Sequence, residues 1–235
     1  MFIVEKITAI VLAAGAGKRM NSEIHKQYMM LGDKPVLYYA LKAFEQSAVT
    51  NIILVVGAGE IEYCSKEIVE KYKIQKVDAI VEGGKERYHS VYAGLMAATE
   101  AKYVLIHDGA RPFVTEDIIT RSIETAKVHQ ACVVGMPVKD TIKVVGEDGF
   151  AKETPARSSL WQVQTPQTFS YPLILEAYRK VIAIDDGRVT DDAMVLELST
   201  GCQVKVIEGS YRNIKITTPE DILVAEAYLE STLHV

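Results

Sequence analysis

Short, mostly apolar runs punctuate the chain at 7–12, 52–56, 77–81, 103–107 and 131–137. Runs of this length predict strands buried on both faces, as in a parallel sheet. The stretches between them keep a different rhythm. Segments 36–47, 60–72, 88–99 and 116–129 predict helices, several with apolar residues three and four apart, as in Val91, Leu95 and Ala98. Alternating strands and helices predict an α/β fold: a doubly wound, mostly parallel sheet. In such sheets ligands gather at the carboxyl ends of the strands.

After Pro137 the rhythm changes. Residues 141–145 and 150–156 predict two strands, with Gly146-Glu147-Asp148-Gly149 as the turn. A lone two-stranded ribbon is marginal in water. This arm therefore needs a surface to pack on, either a second copy of the chain or its own domain. Beyond it the pattern predicts helices at 173–181 and 191–199 and a strand at 203–207. A closing helix starts at Pro219, with Thr218 as N-cap. The expectation is one domain over 1–235, with 138–159 as a protruding β-hairpin arm.

Composition narrows the classes. Of 235 residues, 49% are hydrophobic and 24% charged, which is normal for a globular chain with a sizeable core. The net charge of −5 argues against a general nucleic-acid surface, so any anion site must come from local clustering of cations. No apolar run approaches the roughly 18 residues that cross a membrane, and no signal peptide is evident. Cys64, Cys132 and Cys202 are far apart and lack metal-ligand spacing. Cys132 and Cys202 lie in apolar runs as packed thiols, and a reducing cytoplasm suits all three.

The clearest candidate chemistry follows the first strand, in Ala13-Ala14-Gly15-Ala16-Gly17-Lys18-Arg19-Met20 and on to Lys26-Gln27-Tyr28. Small residues let backbone N–H groups approach a ligand. With Lys18, Arg19 and Lys26 attached, the loop suits a polyphosphate. It is not a P-loop, because Gly15 and Gly17 are one residue apart and Arg19 stands where Ser or Thr is needed. Nor is it a dinucleotide fingerprint, because Met20 replaces the third glycine. A Gly-x-Gly on its own would be an ordinary strand-to-helix turn.

Five other groups of residues join it. Gly83-Gly84 and Ser90 follow the third strand, where backbone groups and a hydroxyl can read a base edge; capping is the plainer role. His107-Asp108-Gly109-Ala110-Arg111 follows the fourth strand. Asp108 is placed for a ribose hydroxyl or Mg²⁺, or for a turn. Arg111 reads equally as a structural salt-bridge partner, and His107 as a packed strand histidine. Thr141 and Arg157, on the two arms of the hairpin, can together take a phosphate. Thr190 precedes two acids, as an N-cap does. Lys215 stands in a strand-like run, where a cation needs an edge or an anion.

These stretches, in this order, resemble the 2-C-methyl-D-erythritol 4-phosphate cytidylyltransferases. The resemblance is carried by Leu12 to Gly15, Gly17, Arg19-Met20, Lys26-Gln27-Tyr28, Gly83-Gly84, Glu86-Arg87, Ser90-Val91 and His107-Asp108. It continues through Ala110-Arg111-Pro112, Asp140-Thr141, Thr165-Pro166-Gln167, Thr190-Asp191-Asp192 and Asn213-Ile214-Lys215. It implies a Rossmann-like nucleotidyltransferase fold and transfer of CMP from Mg·CTP to a polyol phosphate. By resemblance CTP is held by Ala13, Ala14, Gly15, Ala16, Gly17, Gly84, Ser90, Asp108 and Ala110. Arg19 and Lys26 are the catalytic cations, supported by Lys215. Thr141 and Arg157 reach the substrate of the other subunit in a homodimer joined through the arm, and Thr190 helps on the substrate side. Gly109 departs from the alanine usual there. Ribitol-5-phosphate cytidylyltransferases are the nearest alternative; Ala14 and the Gly109-Ala110 pair favour the methylerythritol family. From other classes, an NAD-dependent oxidoreductase and a non-catalytic nucleotide-binding module stay open.

Overall fold

The computed structural model of the chain describes residues 5–15, 25–184 and 187–233. Strand β1 (Ile7–Ala13) is followed by a small hairpin, β2 (Met30–Leu31) and β3 (Lys34–Pro35), then by helix α1 (Val36–Gln46) and β4 (Asn51–Val56). Helix α2 (Ile61–Tyr63) runs into a π-helical stretch over Cys64–Glu70. The alternation continues through β5 (Val77–Glu82), α3 (Arg87–Ala97), β6 (Tyr103–Asp108), α4 (Glu116–His129) and β7 (Ala131–Pro137). Then come β8 (Val144–Val145), β9 (Ala151–Glu153), β10 (Trp161–Ser170), α5 (Tyr171–Ile184), α6 (Asp192–Thr200), β11 (Lys205–Glu208) and α7 (Pro219–Leu233).

Seven strands form one sheet in the order β11-β7-β10-β6-β1-β4-β5. The pairs β6–β1, β1–β4, β4–β5 and β7–β11 are parallel, and β10 runs antiparallel to both neighbours. Both faces are buried, which explains the unbroken apolar runs. Along β1, Ala9, Val11 and Ala13 face a core shared with Leu37, Leu41, Phe44, Ile119 and Ile123 of α1 and α4. Ile10 faces the opposite core, built with Val91 and Leu95 of α3, Tyr178 of α5 and Leu196 of α6. A third small core, Leu31, Val36, Ile216 and Ala225, seats α7 on the β2–β3 hairpin.

The structure departs from the pattern in four places. Strand β10 has too many polar residues to be read as a central strand. Each buried polar residue there has a partner that the sequence does not display: Thr168 Oγ1 donates to Ser122 Oγ at 3.1 Å, and Gln164 Nε2 to the Ser210 carbonyl at 2.8 Å. Pro166 sits in a register shift between Val163 and Gln167, where the ladder does not need its missing N–H. The arm is shorter than expected, with only Val144–Val145 and Ala151–Glu153 paired. The 215 region is irregular backbone rather than a strand. Cys64 and Cys132 are buried thiols, but Cys202 is only half-buried.

Phe169 of β10 is fully buried, so Phe169→Ala is expected to cost about 3–5 kcal/mol of unfolding free energy. Val128→Ala, at an exposed position of α4, should stay within about 0.5 kcal/mol. Denaturant titration of both variants tests whether β10 is a central strand.

Candidate active site

The registers Leu12↔Asp108, Ala13↔Val56 and Val56↔Glu82 bring the carboxyl ends of β6, β1, β4 and β5 to one edge. A cleft of about 380 Å³ opens there. Ala13, Ala14 and Gly15 line it from β1 and the loop after it, with Lys26 at that loop's far end. Gly84 and Ser90 come from the β5 side, Asp108 and Ala110 from β6 and its loop, and Lys215 from the segment before α7. The structure therefore brings together every predicted CTP-site residue that it describes. Ala16, Gly17 and Arg19 lie outside the described residues. Thr141, Arg157 and Thr190 are exposed and do not line the cleft. Arg157 donates from Nη1 to the Lys139 carbonyl at 3.0 Å, across the base of the arm.

Asp108 is the electrostatic centre. It is nearly buried, with Oδ1 at 3.3 Å from Arg87 Nε and Oδ2 at 2.9 Å from Lys215 Nζ and 3.7 Å from Arg111 Nε. Burial alone would raise its pKa. The charges of Arg87, Lys215 and Arg111 outweigh that and hold it far below the usual carboxylate range. Lys215 thus meets an anion, but from irregular backbone. Its neighbour Ile216 donates its N–H to the Ala110 carbonyl at 2.8 Å, and buried Asn213 donates to the Thr165 carbonyl at 2.9 Å. Arg111 takes the structural role: its Nη1 donates to the Asn213 carbonyl at 2.7 Å.

Arg87 is the residue that sequence reasoning passed over. At the first position of α3 it forks onto both oxygens of fully buried Asp192, at 2.8 Å each. Burial opposes its charge, and Asp192 and Asp108 together hold its pKa well above the ordinary value. Tyr178 OH donates to the same carboxylate at 2.5 Å, and Gln167 Oε1 accepts the N–H groups of Asp192 and Ala193 at 3.0 Å. A signal existed: a cation at a helix N-terminus opposes the helix dipole and needs an acid nearby. The N-cap of α6 is Asp191, which accepts from Met194 N at 2.9 Å, and not Thr190.

The glycine turn is internally satisfied. Gly83 N–H donates to the Val56 carbonyl at 2.7 Å and Gly84 N–H to Ser90 Oγ at 3.1 Å. A Cβ on Gly83 would fall 2.5 Å from Ala14 Cβ and 2.6 Å from Ser90 Oγ, so the two ligand loops touch through this glycine. Ser90 in this structure holds its own loop, and the Gly83 and Gly84 N–H groups are not presented to a base. Four cations (Lys26, Lys85, Arg87 and Lys215) and two carboxylates (Glu86 and Asp108) line the cleft. An excess of positive charge in a chain of net −5 suits a polyanionic ligand. Among the described residues no group of three His, Cys, Asp or Glu could cage a metal. The one central carboxylate, Asp108, suits a hard cation whose remaining ligands are substrate phosphates and water.

The sequence profile of the family described as 2-C-methyl-D-erythritol 4-phosphate cytidylyltransferase matches residues 7–231. The protein of that name from Alkaliphilus oremlandii is 53% identical over 230 residues, covering 97% of either chain. The one from Lachnoclostridium phytofermentans is 50% identical over 225 residues, 96% of this chain and 97% of that one. Among solved structures, the 4-diphosphocytidyl-2C-methyl-D-erythritol synthase of Anaerococcus prevotii superposes with a TM-score of 0.84 at 36% identity, covering 96% of both chains.

Beside the cleft, His107 is fully buried. Its Nε2 donates to the Arg111 carbonyl at 3.2 Å, and its Nδ1 accepts from Thr165 Oγ1 at 3.0 Å; Thr165 Oγ1 in turn accepts Asp108 N–H at 3.1 Å. Burial lowers its pKa to about 4, against the Arg111 carbonyl and Asp108, which favour the charge. The unfolded chain therefore takes up the proton first. This contribution is whole above pH ~6.5 and falls away between there and pH ~4, by about 3 kcal/mol. Asp108, with its depressed pKa, loses its share only at lower pH. Unfolding free energies measured from pH 7 to 4 should decline more steeply for the parent than for His107→Gln.

Proposed function

We infer the function from one premise: the chain belongs to the 2-C-methyl-D-erythritol 4-phosphate cytidylyltransferase family. It is a cytidylyltransferase that transfers CMP from CTP to 2-C-methyl-D-erythritol 4-phosphate, giving 4-diphosphocytidyl-2-C-methyl-D-erythritol and pyrophosphate. Membership of a transferase family replaces the oxidoreductase and non-catalytic alternatives. The observation that carries the reading at the level of residues is the cation-lined cleft at the carboxyl edge of the sheet.

A phosphate oxygen of the polyol attacks the α-phosphorus of CTP. A new P–O bond forms there, and the bond to the bridging oxygen breaks with its electron pair leaving on pyrophosphate. A phosphate monoester has its second pKa near 6 and is mostly dianionic at pH 7. The nucleophile therefore needs no general base. The chain's part is placement and charge stabilisation. Ala13, Ala14 and Gly15 let the triphosphate approach the backbone. Lys26 and Arg19 balance charge at the α-phosphorus, and Lys215 supports them from its place on Asp108. Asp108 would be the protein carboxylate that holds Mg²⁺, which would supply charge neutralisation for the pyrophosphate oxygens.

The reading extends to a homodimer. The arm and the adjoining start of β10 expose Val144, Val145, Phe150, Trp161 and Val163, and Phe150 is 74% exposed. Apolar clusters of this kind mark protein interfaces. Docking of a second copy there gives Thr141 and Arg157 a site to serve: the polyol-phosphate end of the partner's cleft, with Thr190 on the same side. Among the described residues no helix is long and apolar enough to cross a membrane. Three free thiols accord with a cytoplasmic enzyme.

Pyrophosphate release with CTP and Mg²⁺ is expected with methylerythritol 4-phosphate and absent with ribitol 5-phosphate; the reverse preference would move the chain to the ribitol-type activity. Lys26→Ala should lower release on the order of 10²–10³-fold. If sites are shared across a two-fold dimer, mixing and re-assorting Lys26→Ala with Arg157→Ala should restore about a quarter of parent turnover, because half the mixed dimers' sites are intact. No recovery in re-assorted dimers would contradict the shared site.

A further inference from the structure

We propose that Glu60, on the loop leaving β4, is a positioning residue for Lys26, acting through His25 and Tyr28. The proposal rests on the reading of Lys26 as a catalytic cation. Lys26 opens a short 3₁₀ turn, Lys26–Tyr28. One carboxylate grips both ends of that turn: His25 Nδ1 lies 2.5 Å from Glu60 Oε1, and Tyr28 OH donates to Glu60 Oε2 at 2.7 Å. The turn is closed by Tyr28 N–H on the His25 carbonyl at 2.8 Å, and Gln27 Nε2 donates to the Ala13 carbonyl at the end of β1.

Glu60 is itself fixed to the sheet. Its Oε2 accepts Gly57 N–H at 2.9 Å, and its own N–H donates to the Gly57 carbonyl at 3.1 Å, one residue beyond β4. The chain of support runs from β4 through Gly57 and Glu60 to His25 and Tyr28, with Lys26 between them. Burial, helped by Cys64 and Glu60, raises the Tyr28 pKa, so its hydroxyl stays a donor. Glu60, His25 and Tyr28 do not line the cleft. Their effect reaches a nucleotide through the turn they hold, which sets Lys26 and Gln27 on the cleft, and small misplacements of a reacting group are costly in rate.

Gly57 supplies a test that leaves the carboxylate in the sequence. A Cβ there would lie 2.8 Å from Glu60 Oε2 and 2.9 Å from its Cδ. The clash is with the flexible end of a side chain, so Gly57→Ala folds but moves the carboxylate off its place.

The experiment is steady-state pyrophosphate release with CTP, Mg²⁺ and methylerythritol 4-phosphate, alongside thermal melts, for the parent, Glu60→Gln, Gly57→Ala, their double variant and Tyr28→Phe. Each of the first two singles should lower kcat about tenfold or more, as loss of outer supporting contacts does. KM for CTP should stay within about twofold, because a contact made in the transition state is what is lost. The double variant should be no worse than either single, since both remove one interaction. Unchanged kcat, a rise in KM alone, or additive losses in the double variant would overturn the proposal. Should the first two variants melt below the assay temperature, Tyr28→Phe decides: a lower kcat at unchanged KM supports it, and parent-like kcat overturns it. A parent enzyme without CTP-dependent release would overturn the reading of Lys26 beneath it instead.

Discussion

The site depends on one buried carboxylate meeting three cations, two of them from distant parts of the chain. Asp108 ends β6, Arg87 starts α3, Arg111 follows in the next loop and Lys215 comes from before α7. A buried ion left alone costs several kcal/mol, and removing one partner of a buried pair is strongly destabilising. Asp108 therefore fastens the loop after β6 to the helix before it in sequence and to the C-terminal segment. Because cations outnumber acids around it, the cluster keeps positive charge to spare for a ligand. Asp192 makes this possible by taking the fork of Arg87, so that only Nε is left for Asp108.

The parallel sheet sets where this can happen. Four parallel strands end together, and every loop that carries candidate chemistry leaves from that edge or is laced to it. Small residues at Ala13, Ala14 and Gly83 let two of those loops touch and still leave room for a bulky anion. The acidic surface elsewhere does not oppose this, since charges beyond about 10 Å are screened at ordinary salt. Local geometry, not net charge, makes the cleft an anion site.

Much of this was legible in the sequence because it rests on local patterns. Apolar runs fixed β1, β4, β5, β6 and β7, and small residues after those strands marked the loops that form the cleft. What escaped was non-local. Strand β10 looks polar until Ser122 and Ser210 are brought to it, and Thr190 looks like a cap until Asp191 takes that place. Lys215 suggested a strand edge or an anion; long-range bonds from Asn213 and Ile216 place it beside that anion, Asp108, on irregular backbone. The Arg87–Asp192 pair joins residues 105 positions apart, and only a cation at the unfavourable end of a helix hinted at it.

The measurement that bears most directly on this account is turnover of Asp108→Asn with CTP and methylerythritol 4-phosphate, at a temperature where circular dichroism shows the variant folded. Without the charge, Lys215 loses the anchor that aims it, and Arg87 is left with Asp192 alone. The account predicts a fall on the order of 10²-fold or more, the scale of losing a transition-state charge contact. Turnover within a few-fold of the parent would contradict it.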